Sequence, residues 1–225
     1  EIADQVGFTC EVVLPATHDT ASAVMSVPTK GGDCVYISSG TWSLMGVETM
    51  TAITSEESRR ANFTNEGGYD HRFRFLLNIM GLWMIQQVRH ELNDAYSFAE
   101  LCDMAEKERD FPSRVDVNDS CFMAPDNMTE EIKDYCRRTG QAVPETLGQL
   151  ATVIYQSLAE CYARTIENIE ALTGKKYDSI NIVGGGSKAA YLNQLTADKS
   201  GRTVYAGPGE ATAIGNITSQ MIHSG

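Results

Sequence analysis

The stretch "YDSINIVGGGSKAAYLNQLTADKSGRTVYAGPGEATAIGN", Tyr177 to Asn216, decides the fold. Ile180, Ile182 and Val183 make a short apolar run that ends on Gly184-Gly185-Gly186. Such a run closed by glycines reads as a buried strand leaving its sheet through a tight turn. "KAAYLNQLTADKSG" follows as a helix, "RTVYAGP" as a second strand and "GEATAIGNITSQMI" as a second helix. Strand, helix, strand, helix argues for a mixed α/β sheet with helices on its faces.

Working outward, Thr146 to Thr173 places Leu150, Ile154, Leu158, Cys161, Thr165, Ile169 and Leu172 at three- and four-residue steps. This predicts the longest helix of the chain, with Gly174 as its C-cap. A shorter helix is expected from about Thr129 to Thr139, closed by Gly140, and another from about Asp94 to Arg109. Ser113 to Asp126 has turn residues and no clear period. Phe73 to Leu92 carries Leu76, Ile79, Met80, Trp83, Val88 and Leu92, a spacing that predicts one helix with a wide apolar face. Further upstream, Cys34–Ser38 and Trp42–Val47 read as a hairpin turning at Ser39-Gly40-Thr41. Asp19 to Val27 reads as a short buried helix that follows a proline-bounded strand end and is stopped by Pro28. With no internal repeat and no low-complexity linker, the chain reads as one domain.

Composition narrows the function. The 225 residues carry 18 Lys+Arg against 30 Asp+Glu, a formal charge of -12. Binders of nucleic acid or anionic membrane select for basic clusters, and none is present. An acidic protein still binds a phosphorylated ligand where backbone N–H groups and Mg2+ supply the positive field. No apolar run approaches the ~20 residues of a membrane span. The six cysteines, at 10, 34, 102, 121, 136 and 161, form no C-x-x-C pair and no zinc spacing. They are expected to be reduced thiols of a cytoplasmic protein, in which the four N-x-S/T matches have no role.

Three places have the residue types for chemistry. The triple glycine lets a ligand approach backbone N–H groups at a helix start, although it is neither a Walker A loop nor G-x-G-x-x-G and, taken alone, is more readily a plain tight turn. "SSGTWS" offers Gly40 and the Thr41 hydroxyl to phosphate oxygens, or is an ordinary hairpin tip. In "THDTASAV", Asp19 either starts a helix, contributing about 1 kcal/mol, or faces a substrate at the kind of loop where α/β sites gather.

Taken together, "THDTASAV", "YISSGTWSLMGVE", "NIMGLWMIQQ", "VDVNDSCFMAPDNM" and the closing glycine motifs resemble, in order, the C-terminal half of an FGGY-family carbohydrate kinase. The wording of "HDTASA", "SGTWSLMG" and "NIMGLW" favours the branch acting on L-rhamnulose. A kinase of another ketose or deoxy-sugar, or a non-catalytic nucleotide-binding module, are the alternatives. The resemblance implies an actin-like, ribonuclease-H-like ATPase fold, ATP and Mg2+ as co-substrate and cofactor, and a sugar-binding N-terminal domain as partner. It implies that Asp19 is the general base, with His18, Thr20 and Asn78 at the sugar. Gly40, Thr41, Gln86, Gly184 and Gly185 would contact ATP, with Asn193 near the adenine. On the expected helix, Asn78 and Gln86 would stand about 12 Å apart along the axis. Because half of the sugar kinase's cleft lies outside these residues, the chain alone is expected to bind nucleotide weakly and turn over little.

Overall fold

In the computed structural model, residues 2–9, 11–28 and 34–225 are described. Among them the chain begins with α1 (Ile2–Val6), α2 (Asp19–Met25), and a hairpin of β1 (Val35–Ser39) and β2 (Ser43–Thr49). Next come α3 (Glu56–Arg60), β3 (Thr64–Gly67), β4 (Phe73–Ile79), α4 (Trp83–Glu91), α5 (Phe98–Lys107) and α6 (Met128–Arg138). The long α7 (Leu147–Thr173) leads into β5 (Ser179–Val183), α8 (Ala190–Ser200), β6 (Thr203–Ala206) and α9 (Ala211–Ser224).

The strands form one sheet in the order β3-β4-β2-β1-β5-β6. β1, β5 and β6 run parallel, and β1-β2, β2-β4 and β4-β3 are antiparallel. The expected mixed sheet is therefore present. Alternation along the strands sends Val35, Ile37, Met45, Val47, Phe75, Ile180 and Ile182 into the main core with α7. Tyr36 and Val183 face the other way, against Ala23, Val24 and Val27 by α2 and Ala211 of α9.

Helix α7 matches its expectation at both ends. Thr146 accepts from the N–H of Gln149, and Gly174 closes the helix at φ 69°, the left-handed region that favours glycine. Its middle is buried on nearly every side, and the Tyr162 hydroxyl meets Ser43 Oγ at 2.6 Å, tying the helix to the start of β2.

Three expectations are corrected. Phe73 to Leu92 is not one helix: β4 occupies Phe73–Ile79 and α4 begins only at Trp83. β4 lies between β2 and β3, and Leu76 is buried on the face opposite Phe75 and Ile79, which interrupts the alternation that marks a strand. Gly81 sits at the break, where a Cβ would stand 2.4 Å from Ser43 Oγ. The helix expected from Asp94 starts at Phe98, because Asn93 and Asp94 take left-handed φ angles and Ser97 with Glu100 forms a capping box. Among the described residues no strand precedes His18; residues 11–16 are irregular. Finally, α3 and β3 had no counterpart in the sequence reading, since both are short and polar.

Candidate active site

The C-terminal ends of the parallel strands β1 and β5, with the loop after β6, open onto a cleft of about 750 Å³. In open α/β sheets ligands gather at these strand ends. The cleft is lined by His18, Asp19, Thr20, Gly40, Thr41, Asn78, Gly184 and Gly185, eight of the expected site residues. Ser38, Ser39, Trp42, Leu44, Glu66, Gly209 and Thr212 complete it.

Asp19 is the first residue of α2, and His18 is its N-cap. The Thr20 N–H donates to Asp19 Oδ1 at 2.6 Å and to His18 Nδ1 at 3.3 Å. The Asp19 carbonyl accepts from the Thr212 hydroxyl of α9 at 3.3 Å. α9 approaches α2 this closely because of Gly215, where a Cβ would stand 1.7 Å from the Ser22 carbonyl. The backbone under Asp19 is thus anchored while its side chain stays 78% exposed. No lysine or arginine among the described residues pairs with it.

The two glycine turns meet each other. Gly184, at φ 83°, would place a Cβ 2.9 Å from the Ser39 carbonyl, and Gly186 would place one 1.9 Å from Ser39 Oγ. A side chain at either position would push the hairpin tip away. Around Gly185 a Cβ would meet nothing within 4 Å, so the middle backbone unit is open to a ligand. The tip in turn holds α4: Gly40 and Thr41 carbonyls accept from the N–H groups of Leu82 and Trp83 at 3.1 Å each.

A second cavity, an apolar slot of about 450 Å³, adjoins the first at Gly40 and Gly185. Leu82, Ile85, Phe98 and Tyr155 form its walls, with Gln86, Gly186, Lys188 and Ala189 also lining it. Gln86 opens here, not into the cleft with Asn78. The expected spacing of the two along one helix is corrected accordingly, since Asn78 lies on β4 and Gln86 on α4. The Thr41 hydroxyl, which lines the cleft with Asn78, donates to Gln86 Oε1 at 3.1 Å. Asn193 lines neither cavity. It is buried behind the turn, where its Nδ2 donates to the Ser187 carbonyl at 2.8 Å.

Glu66 escaped the sequence reading because β3 did. Its Oε2 accepts from Nη2 of the buried Arg74 at 2.9 Å. Phe98 and Lys188 escaped it for another reason: their relevance lies in spatial proximity, and only Lys188, two residues past the glycines, left a signal. No group of three or more His, Cys, Asp or Glu able to hold a metal exists among the described residues. Cys102, Cys121, Cys136 and Cys161 are free thiols, and Cys10 lies outside the described residues. None of the described helices is long and apolar enough to cross a membrane.

Residues 35–224 match the family model described as the FGGY family of carbohydrate kinases, C-terminal domain, and the chain belongs to that family. Within it, the chain is 51% identical over 225 residues to the rhamnulokinase of Halalkalibacterium halodurans, covering 100% of this chain and 48% of that protein. The rhamnulokinase of Bacteroides thetaiotaomicron is 44% identical over 214 residues, 95% of this chain and 44% of its own. The chain thus spans about half the length of the curated relatives it matches. Among solved structures, a xylulose kinase from Lactobacillus acidophilus superposes with a TM-score of 0.64 at 12% identity, over 99% of this chain and 46% of that one. A carbohydrate kinase from Novosphingobium aromaticivorans gives 0.63 at 14%, over 96% and 48%. The fold is the actin-like, ribonuclease-H-like ATPase fold of these sugar kinases.

Proposed function

We propose that this domain is the ATP-binding half of a two-domain kinase that converts L-rhamnulose to L-rhamnulose 1-phosphate. The observation that carries the reading is the placement of Asp19: an exposed carboxylate, paired with no lysine or arginine among the described residues, in the same cleft as both glycine turns. The names of the relatives supply the sugar.

In this reading Asp19 accepts the proton of the attacking hydroxyl. Phosphoryl transfer has a loose transition state, so the base receives its proton late and positioning dominates. His18, Thr20 and Asn78 offer polar groups to the sugar, while Gly40, Thr41, Gly184 and Gly185 offer backbone N–H groups and a hydroxyl to phosphate oxygens. The slot takes the adenine, with Gln86 at its edge and Asn193 holding the turn from behind. Mg2+ supplies charge neutralisation to the phosphates when bound. Asp19 and Glu66 are the carboxylates this chain brings to the cleft, so the ion would be held largely by phosphate oxygens and water. The remaining sugar contacts belong to an N-terminal domain. The free thiols fit a cytoplasmic enzyme.

The test is Asp19→Asn in the complete two-domain kinase, assayed with ATP and L-rhamnulose. Turnover is expected to fall by about 10²–10⁴-fold while ATP affinity changes less than about twofold. Near-normal turnover would overturn the assignment. A panel of other ketoses and deoxy-sugars on the unmodified kinase tests the sugar itself.

A further inference from the structure

We propose that Lys188 binds the polyphosphate of the nucleotide, at the junction between the apolar slot and the polar cleft. The proposal rests on the reading that these two cavities hold ATP.

The argument starts from charge. A nucleoside triphosphate brings several negative charges into a chain whose own formal charge is -12. The cleft adds to the mismatch, because its ionisable lining includes the carboxylates of Asp19 and Glu66. Glu66 is matched by Arg74, but that guanidinium is buried in the sheet and does not line either cavity. Among the described residues lining the two cavities, Lys188 is the one lysine or arginine.

Its position agrees with that role. Lys188 ends the 3-10 turn Gly185–Lys188 that follows the open backbone unit of Gly185. Its side chain lines the slot and lies along Gly209, a lining residue of the cleft. A Cβ on Gly209 would stand 3.2 Å from Lys188 Cε and 3.9 Å from Nζ, so the bare backbone there makes room for the lysine tail. No carboxylate among the described residues pairs with Nζ. A lysine placed between a base-sized apolar slot and the acceptor's cleft meets the phosphates next to the nucleoside rather than the base or the sugar. An ammonium group acts on phosphate as a point charge, without need of a bidentate geometry.

Titration calorimetry with ADP and with adenosine, on this chain and on Lys188→Met and Lys188→Arg, tests the idea. The unmodified chain is expected to bind ADP more tightly than adenosine, with the difference shrinking as salt is raised. Lys188→Met should weaken ADP by about tenfold and leave adenosine within about twofold, while Lys188→Arg keeps most of the ADP affinity. The side chain is exposed, so the substitution leaves the fold intact. An unchanged ratio of ADP to adenosine affinity in Lys188→Met overturns the role of Lys188 and leaves the nucleotide reading standing. A parallel loss of both ligands overturns it too, by making the lysine structural. Failure of both the unmodified chain and the complete two-domain kinase to bind either ligand sinks the nucleotide reading, and this proposal with it.

Discussion

Two carboxylates at opposite ends of the parallel strands show how differently one residue chemistry is used. Glu170, on the last turns of α7, is 3% exposed. It accepts from Lys176 Nζ at 2.5 Å, from Arg202 Nη2 at 2.9 Å and from the Tyr177 N–H at 3.2 Å. Those partners precede β5 and β6, so this end of the sheet is tied by a neutralised charge. Asp19 stands at the other end, exposed, its carboxylate accepting only from its neighbour Thr20 among the described residues, with His18 beside it. A carboxylate committed to two cations holds strands and has little affinity for a proton. One left open in a cleft can meet a substrate. The glycine end is held by shape, the far end by charge.

The hardest blow to the shape-held end is Gly186→Val. Its Cβ falls on Ser39 Oγ and near Leu82, so the hairpin tip, the glycine turn and α4 cannot all keep their places. Overpacking of this kind costs about 3 kcal/mol. Denaturant unfolding should show that loss, and adenosine binding should disappear together with it, because Leu82 and Gly186 both line the slot. A variant as stable as the original, with its binding intact, would mean that the two turns do not depend on one another.

The charge-held end breaks at Glu170→Gln. Burial alone would raise the Glu170 pKa, but the hydrogen bonds from Lys176, Arg202 and Tyr177 N outweigh it and lower the value to about 2. The unfolded value is about 4.3, so the ion pair stabilises the fold fully above that pH, and the stabilisation is lost as pH falls from about 4.3 toward about 2. The shift corresponds to about 3 kcal/mol at pH 7. Unfolding curves of the two proteins should therefore differ most at neutral pH and converge below about pH 2. A gap that stays constant across that range would assign the loss to packing instead of charge.

These ends were not equally legible in the sequence. The far end announces itself through α7: an unbroken apolar period, Thr146 three residues before Gln149, and Gly174 at the close. The site end is legible as motifs, since a strand closing on three glycines and a hairpin tip with Gly40 and Thr41 carry local signals of their own. What failed was the element between them. Leu76, Ile79, Met80 and Trp83 imitate a helical face, while in β4 Leu76 is buried on the face opposite Phe75 and Ile79, a tertiary fact. Asn78 and Gln86 were expected on one helix for that reason, whereas they lie on β4 and α4 and open onto different cavities. Glu66 was lost with β3, whose four residues Thr-Asn-Glu-Gly have no strand signal outside the sheet. The Ser97-x-x-Glu100 capping box was readable and marks the true start of α5, which places Phe98.

Phe98 gives the smallest of these effects and the finest test of the slot. It is the first residue of α5, half exposed, with Arg89 Cζ 5.0 Å from its ring centroid. Arg89 is itself fixed, its Nε donating to the Tyr96 carbonyl at 2.7 Å and its Nη1 to Asp94 Oδ1 at 2.6 Å. The guanidinium therefore braces the ring and leaves the rest of its surface to the slot, opposite the backbone of Gly185 and Gly186. If a base enters there, Phe98→Ala removes an aromatic wall without disturbing the core. Adenosine affinity should drop by about fivefold, the low end of what a stacking contact is worth, while stability changes by less than about 0.5 kcal/mol. Phe98→Tyr should restore the affinity. A loss of ADP binding with adenosine unchanged would instead place the phosphates in the slot, and the division between an apolar end for the base and a polar end for the chemistry would have to be reversed.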